Sequence, residues 1–63
     1  MSIAVTIKYD PEWRPLYWAK KHCRSYITND AVKVEDVVEH NIYDVRYYFS
    51  DPRDAVVFTL LWT

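Results

Sequence analysis

Residues 41–49, NIYDVRYYF, carry the clearest structural signal in this 63-residue chain. An apolar side chain recurs at every second position, namely at Tyr43, Val45, Tyr47 and Phe49. The intervening positions form a mixed set of Ile42, Asp44, Arg46 and Tyr48. Aromatic and β-branched residues in strict alternation favour a strand with one face against a core. We therefore predict a strand here and build the rest of the fold around it.

The N-terminal stretch SIAVTIKY, residues 2–9, shows the same alternation. Ile3, Val5 and Ile7 face one way, whereas Ala4, Thr6 and Lys8 face the other. This pattern predicts a half-buried strand that ends at Asp10-Pro11.

Pro15 predicts the start of a helix at about residues 15–24, because proline is tolerated at the first helical position and not further inside. At spacings of three and four, Leu16, Ala19 and Cys23 share the face expected to pack against the core. A second face carries Arg14, Tyr17, Lys21 and Arg24, with Trp18 beside it.

Residues 25–40 are ambiguous. Residues 26–28, YIT, look like a short strand running into an Asn29-Asp30 turn. Residues 32–40, VKVEDVVEH, fit either a strand or one helical turn. Because the chain has no glycine, positive-φ positions are expected at Asn29, Asp30 or Asn41. The lack of glycine also excludes P-loop and dinucleotide-type phosphate loops.

The tail, SDPRDAVVFTLLWT, admits a helix or a strand. Asp51 as N-cap, Pro52 at the first position and Asp54 in the first turn favour the helix. Its buried face would then carry Ala55, Phe58, Leu61 and Trp62. Against this, Val56, Val57 and Thr59 favour strands, and residues 51–54 could form a hairpin turn.

This element order predicts a single small α+β domain over residues 1–63, with two short helices packed on one face of an antiparallel sheet. A truncated ferredoxin-like arrangement fits the same order. A chain this short has a thin stability margin. Cys23 is its only cysteine, so no intramolecular disulfide forms and a reducing compartment is expected. With no leader pattern and no long apolar run, we expect a cytoplasmic protein that does not enter a membrane.

The C-terminal pattern also resembles a known group of proteins. Phe49, Asp51, Asp54, Ala55, Phe58, Leu60 and Trp62 fall in the spacing F-x-D-x-x-D-A-x-x-F-x-L-x-W. This pattern is similar to the ends of short uncharacterised proteins of tailed phages, especially marine ones, and covers about fourteen positions. The resemblance implies a viral origin, hence a location in the host cytoplasm. It carries over no functional residue and implies nothing about mechanism, because these proteins have no assigned activity.

Catalysis and metal binding are disfavoured by the residue types. His22, Cys23 and His40 are the only nitrogen and sulfur ligands, whereas a structural zinc site needs four ligands in paired spacings. Adjacent helical residues point about 100° apart, so His22 and Cys23 do not easily share an ion. A chain of this size also encloses a substrate pocket with difficulty. We therefore predict a non-enzymatic protein with no catalytic residue, metal or cofactor.

The charge distribution points instead to binding. Residues 1–24 have a balance of +3 and residues 25–63 of −4, within a net charge of −1. Such asymmetry, together with rings and arginines that suit interfaces, predicts a partner-binding surface at Arg14, Tyr17, Trp18, Lys21 and Arg24. We first expect this chain to be a regulatory module that binds another protein. If the chain is viral, the partner is a host protein. Self-association into a homodimer is also expected to relieve the small core. Single-stranded nucleic acid is the alternative, since cations and flat rings suit it.

Overall fold

The chain folds as three strands and two helices in the order β-α-β-β-α. The computed structural model describes the backbone of residues 2–37 and 40–62, and the side chains of these residues outside 33–42. The elements are β1 (Ile3–Lys8), α1 (Arg14–His22), β2 (Tyr26–Val37), β3 (His40–Phe49) and α2 (Pro52–Trp62). The predicted α+β class is confirmed.

The strands form one antiparallel sheet in the order β1-β3-β2. β3 lies in the middle, pairing Phe49 with Ile3 of β1 and Val45 with Ala31 of β2. Consequently β1 and β2 run parallel to each other on either side of β3, and α1 connects them as in a split β-α-β unit. This order is consistent with a truncated ferredoxin-like arrangement. Both β1 and β2 are edge strands.

The core lies between the sheet and the two helices. Both helices contribute to one buried cluster on the same face of the sheet, as predicted. Its members are Ile7, Ala19, Cys23, Val45, Tyr47, Phe49, Ala55 and Phe58. The ring centroid of Phe58 lies 4.8 Å from that of Tyr47 and 5.1 Å from that of Phe49. The alternation of β3 therefore has the predicted consequence, since its apolar positions from Val45 onwards are buried.

The predicted Asn29-Asp30 turn is wrong. Both residues lie inside β2, which continues without a break to Val37. The long partner β3 explains this, because Asp30 pairs with Arg46 and accepts hydrogen bonds from the guanidinium Nε and Nη2 at 3.3 and 3.2 Å. The alternative of a helical turn is likewise replaced by strand up to Val37, and residues 38–39 lie outside the described residues. Asn41 belongs to β3 and is not a turn residue.

The positive-φ position falls instead at Trp13, the only one in the described backbone, with φ of 57°. A bulky residue rarely adopts this conformation, so surrounding contacts must hold it. The Trp13 N–H donates to the Asp10 carbonyl at 2.9 Å, and the indole packs edge-on against Tyr9 with centroids 5.3 Å apart. α1 starts directly after this turn, one residue earlier than predicted. It also ends earlier, because Cys23 is extended.

The helical interpretation of the tail is confirmed. The Asp51 carboxylate accepts the Arg53 N–H at 2.9 Å, and this bond holds the pKa of Asp51 below its ordinary value. Asp54 links the start of α2 to the turn between α1 and β2, since it accepts the Ser25 hydroxyl at 2.5 Å and the Ser25 N–H at 3.2 Å. The predicted burial of Leu61 is wrong: it is exposed, whereas Ala55 and Phe58 are buried and Trp62 is partly buried against the core.

Burial of Tyr47 generates a pH prediction. Removal from water raises the pKa of its phenol from 10 to about 12. A group whose pKa is higher in the folded state contributes stability below its unfolded pKa and loses that contribution as the pH rises. We expect the free energy of unfolding to fall between pH 10 and 12, and to fall less steeply in Tyr47→Phe. Urea denaturation at a series of pH values checks this, and equal slopes in both proteins would contradict it.

Candidate functional site

The outward side of α1 presents one exposed tyrosine together with lysines. Tyr17 is 66% exposed, Lys20 and Lys21 follow it at the helical spacings of three and four residues, and the exposed Arg24 lies just beyond the end of the helix. We call these four residues the α1 surface. Lys20 and Lys21 belong to the last turn of the helix, whereas Arg24 lies in the turn that follows it. Of the predicted site, Tyr17, Lys21 and Arg24 are thus available to a partner.

Arg14 forms ion pairs with the acidic residues of the turn before α1. Its Nε lies 2.9 Å from Asp10 Oδ2 and 3.5 Å from Glu12 Oε2. The hydrogen bond to Asp10 raises the pKa of Arg14, and the same bond lowers the pKa of Asp10. The charge of Arg14 is therefore balanced locally. No ion pair joins Lys20, Lys21 or Arg24 to any other residue in the described part of the chain.

Trp18 faces the core more than the solvent. Its ring lies 6.2 Å from Phe58, 6.5 Å from Trp62 and 5.2 Å from His22, measured between centroids. It is partly buried and packs against the core cluster, as does Trp13. Trp18, which the sequence places on the partner-binding surface beside Tyr17, is therefore drawn inward together with Trp13 and Trp62. The structure separates Trp18 from the exposed ring of Tyr17.

Cys23 and His22 are adjacent but differ in environment. The Cys23 thiol belongs to the core and is 5% exposed, and burial raises its pKa. His22 is exposed and stacks on Trp18. Among the described side chains, at residues 2–32 and 43–62, no three His, Cys, Asp or Glu groups converge as a metal site would require.

α2 has a surface that sequence reasoning missed. Four apolar side chains on its outward side are between 47% and 79% exposed: Val56, Val57, Leu60 and Leu61. We call them the α2 apolar surface. The signal was present in the sequence, because a helix that is apolar on all sides is typical of one covered on more than one side. The core covers only the side that holds Ala55 and Phe58.

A groove of about 350 Å³ separates α2 from the strand beside it. Its floor and one wall come from β1, at Ile3, Ala4 and Val5. The other wall comes from α2, at Pro52, Ala55, Val56, Thr59 and Leu60. The groove is therefore almost entirely apolar and runs along the open edge of the sheet.

The opposite face of the sheet carries a polar network. Asp30 bonds Arg46 through the guanidinium and accepts the Tyr48 hydroxyl at 3.3 Å. The Arg46 guanidinium carbon also lies 5.4 Å from the centroid of the Tyr48 ring. The pKa of Asp30 is lowered chiefly by the hydrogen bond from Arg46. Asp30, Arg46 and Tyr48 therefore satisfy one another's charges and hydrogen bonds.

No family model, curated protein or solved structure matches this chain. In the described ranges, no helix is both long and apolar enough to cross a membrane.

The different environments of Trp18 and Tyr17 predict different costs of truncation. We expect Trp18→Ala to lower the free energy of unfolding by on the order of 2 kcal/mol, less than the 3–5 kcal/mol of a fully buried aromatic residue. Tyr17→Ala should change it by no more than about 0.5 kcal/mol, as exposed positions do. Urea denaturation of the two variants checks this. Equal losses would contradict the inward placement of Trp18.

The Asp10–Arg14 pair predicts a titration change. In Arg14→Ala, the Asp10 carboxylate loses its strongest hydrogen bond, so its pKa should rise towards 3.8. NMR titration of the Asp10 side chain measures this directly, with Arg53→Ala as a control far from the pair. An unchanged Asp10 midpoint in Arg14→Ala would show that the pair does not form in solution.

Proposed function

We propose that this chain is a non-enzymatic protein-binding module that uses the α1 surface to contact an acidic patch on a partner protein. The observation that carries the proposal is the exposed ring of Tyr17 among three cations that have no ion partner in the described residues. A tyrosine buries a large area at small entropic cost, and unpaired cations steer an acidic surface towards it.

The charge is local rather than global. The whole chain carries a net charge of −1, yet the α1 surface holds three of its eight basic residues and no acid. A protein partner with its own acidic patch suits such a limited area better than an extended polyanion does. The resemblance of the C-terminal pattern to phage proteins extends the proposal: the partner is a host protein, and the module modulates it.

Single-stranded nucleic acid is the weaker candidate. Binding of that kind uses successive rings on which bases stack, together with cations along the backbone. Trp13 and Trp18 pack against the core, which leaves Tyr17 as the single exposed tyrosine or tryptophan ring of α1.

A photo-crosslinking experiment tests the proposal. A benzophenone amino acid replaces Tyr17, and the chain is irradiated in its native cell. We expect an adduct with one acidic protein, because position 17 lies at the centre of the contact. The purified partner is then titrated with wild type, with the charge reversal Lys21→Glu/Arg24→Glu, and with Lys8→Glu as a control on β1.

The reversal should weaken binding at least about tenfold, and raised salt should weaken binding of the wild type, as expected for steering by charge. Lys8→Glu should bind like wild type. Adducts with RNA or DNA would instead support the nucleic-acid alternative, as would salt-sensitive quenching of tryptophan fluorescence by oligothymidylate. Equal loss in the control and the reversal would refute a role for the α1 surface.

A further inference from the structure

The two edges of the sheet differ in how well they are protected against pairing. β2 contains four charged residues, Asp30, Lys33, Glu35 and Asp36, and two register irregularities. Charges and bulges are common devices that keep an edge strand from pairing with another chain. β1 has no proline, no irregularity in its pairing with β3 and a single charge, at Lys8. Its edge is therefore open.

The open edge is also the one beside the apolar groove. Val56 and Leu60 overhang it from α2, and Leu60 is the most exposed large apolar side chain in the described residues, at 79%. An unpaired strand edge and exposed leucine on the same flank make one continuous patch. Neither feature is used by the α1 surface, which lies on the other helix.

We propose that a second copy of this chain occupies this patch, with β1 pairing antiparallel to β1 of the other copy and α2 packing against its counterpart. The two three-stranded sheets then become one sheet of six strands, with all four helices on the same face. This surface goes beyond the proposed function, because it is separate from the surface assigned to the acidic partner.

The sequence of β1 is complementary to itself in this arrangement. A two-fold axis at Val5 places Val5 opposite its own copy and Ile3 opposite Ile7 of the second copy. Apolar residues thus meet apolar residues on the helical face, as side-chain alternation requires. Lys8 falls opposite Ser2, so the only charge on β1 does not meet its like.

The distance between the two copies of α2 in this dimer also suits helix packing. α2 packs on both β1 and β3, so its axis lies over the strip between these strands. Strands are about 4.8 Å apart, and pairing of the two β1 edges leaves two strand spacings between the helix axes, about 10 Å. This equals the distance at which helices pack through side chains of moderate size, about 8–10 Å. Val56 and Leu60 of the two copies then meet between the helices.

A dimer of this kind sets the area that the patch has to supply. A stable interface takes about 800 Å² from each partner, which is about a sixth of the 4804 Å² surface of this chain. The strand edge alone would not supply this area, whereas the edge, the groove and the flank of α2 together run the full length of an 11-residue helix.

Sedimentation equilibrium of the full chain tests the proposal over about 1 μM to 1 mM, a range that covers weak and strong dimers. We expect the wild-type mass to approach twice 7.6 kDa. Val56→Glu/Leu60→Glu places charges in the interface and should raise the dissociation constant at least about tenfold. The matched control is Val57→Glu/Leu61→Glu, which adds the same two charges to exposed residues of α2 that do not line the groove.

A second variant tests the strand edge independently of α2. Thr6→Lys puts a charge on the exposed side of β1, as naturally protected edges do, and should also weaken the dimer. Circular dichroism checks that each variant is folded.

A wild type that stays monomeric throughout the range overturns the proposal and leaves the groove to another occupant. A dimer that survives both the Val56/Leu60 and Thr6 changes, or is lost equally in Val57→Glu/Leu61→Glu, also overturns it. None of these substitutions touches the α1 surface, so their outcome is separate from that of the crosslinking experiment.

Discussion

The phenyl ring of Phe58 joins all the layers of this small fold. It is fully buried, it contacts the rings of Tyr47 and Phe49 on β3, and it lies near Trp18 of α1. A chain of this length has few side chains with which to fill a core, and large rings supply the most buried area per residue. The aromatic cluster around Phe58 therefore determines which rings remain for recognition. Trp18 is drawn towards it, and Tyr17, one residue earlier, is left in the solvent.

The small size of the core also explains which side chains the two helices expose to solvent. α2 meets the core with only the side that holds Ala55 and Phe58, because the sheet beneath it is three strands wide. Of its other apolar residues, Val56 and Leu60 overhang β1, an edge strand that lacks the charges of β2. α1 meets the core through Ala19 and presents cations outward. The molecule thus has a cationic surface and an apolar surface on different helices, which suits contacts with two different partners.

Short-range sequence patterns were enough to predict β1, β3 and the start of α2. Alternation sufficed for β1 and β3, and Asp51-Pro52 sufficed for the start of α2. The Asn29-Asp30 turn failed because turn propensity is local, whereas β2 is held in place by pairing with the distant residues of β3. The positive φ of Trp13 depends on Tyr9 and Asp10 contacts that no composition rule anticipates. Trp18 lies between two faces of α1, so only the position of Phe58 decides which way its ring turns. The α2 apolar surface could have been predicted, since the helix is apolar on every side.

Amide hydrogen exchange measured by NMR, residue by residue, tests most directly whether the Phe58 cluster is the centre of stability. Amides exchange slowest where opening requires global unfolding. We expect the slowest amide exchange at residues 45–49 of β3 and at residues 55–58 of α2. Amides near Val37 of β2 and in the last turn of α1 should exchange faster. Slowest exchange in the far part of β2, or unprotected amides around Phe58, would contradict it.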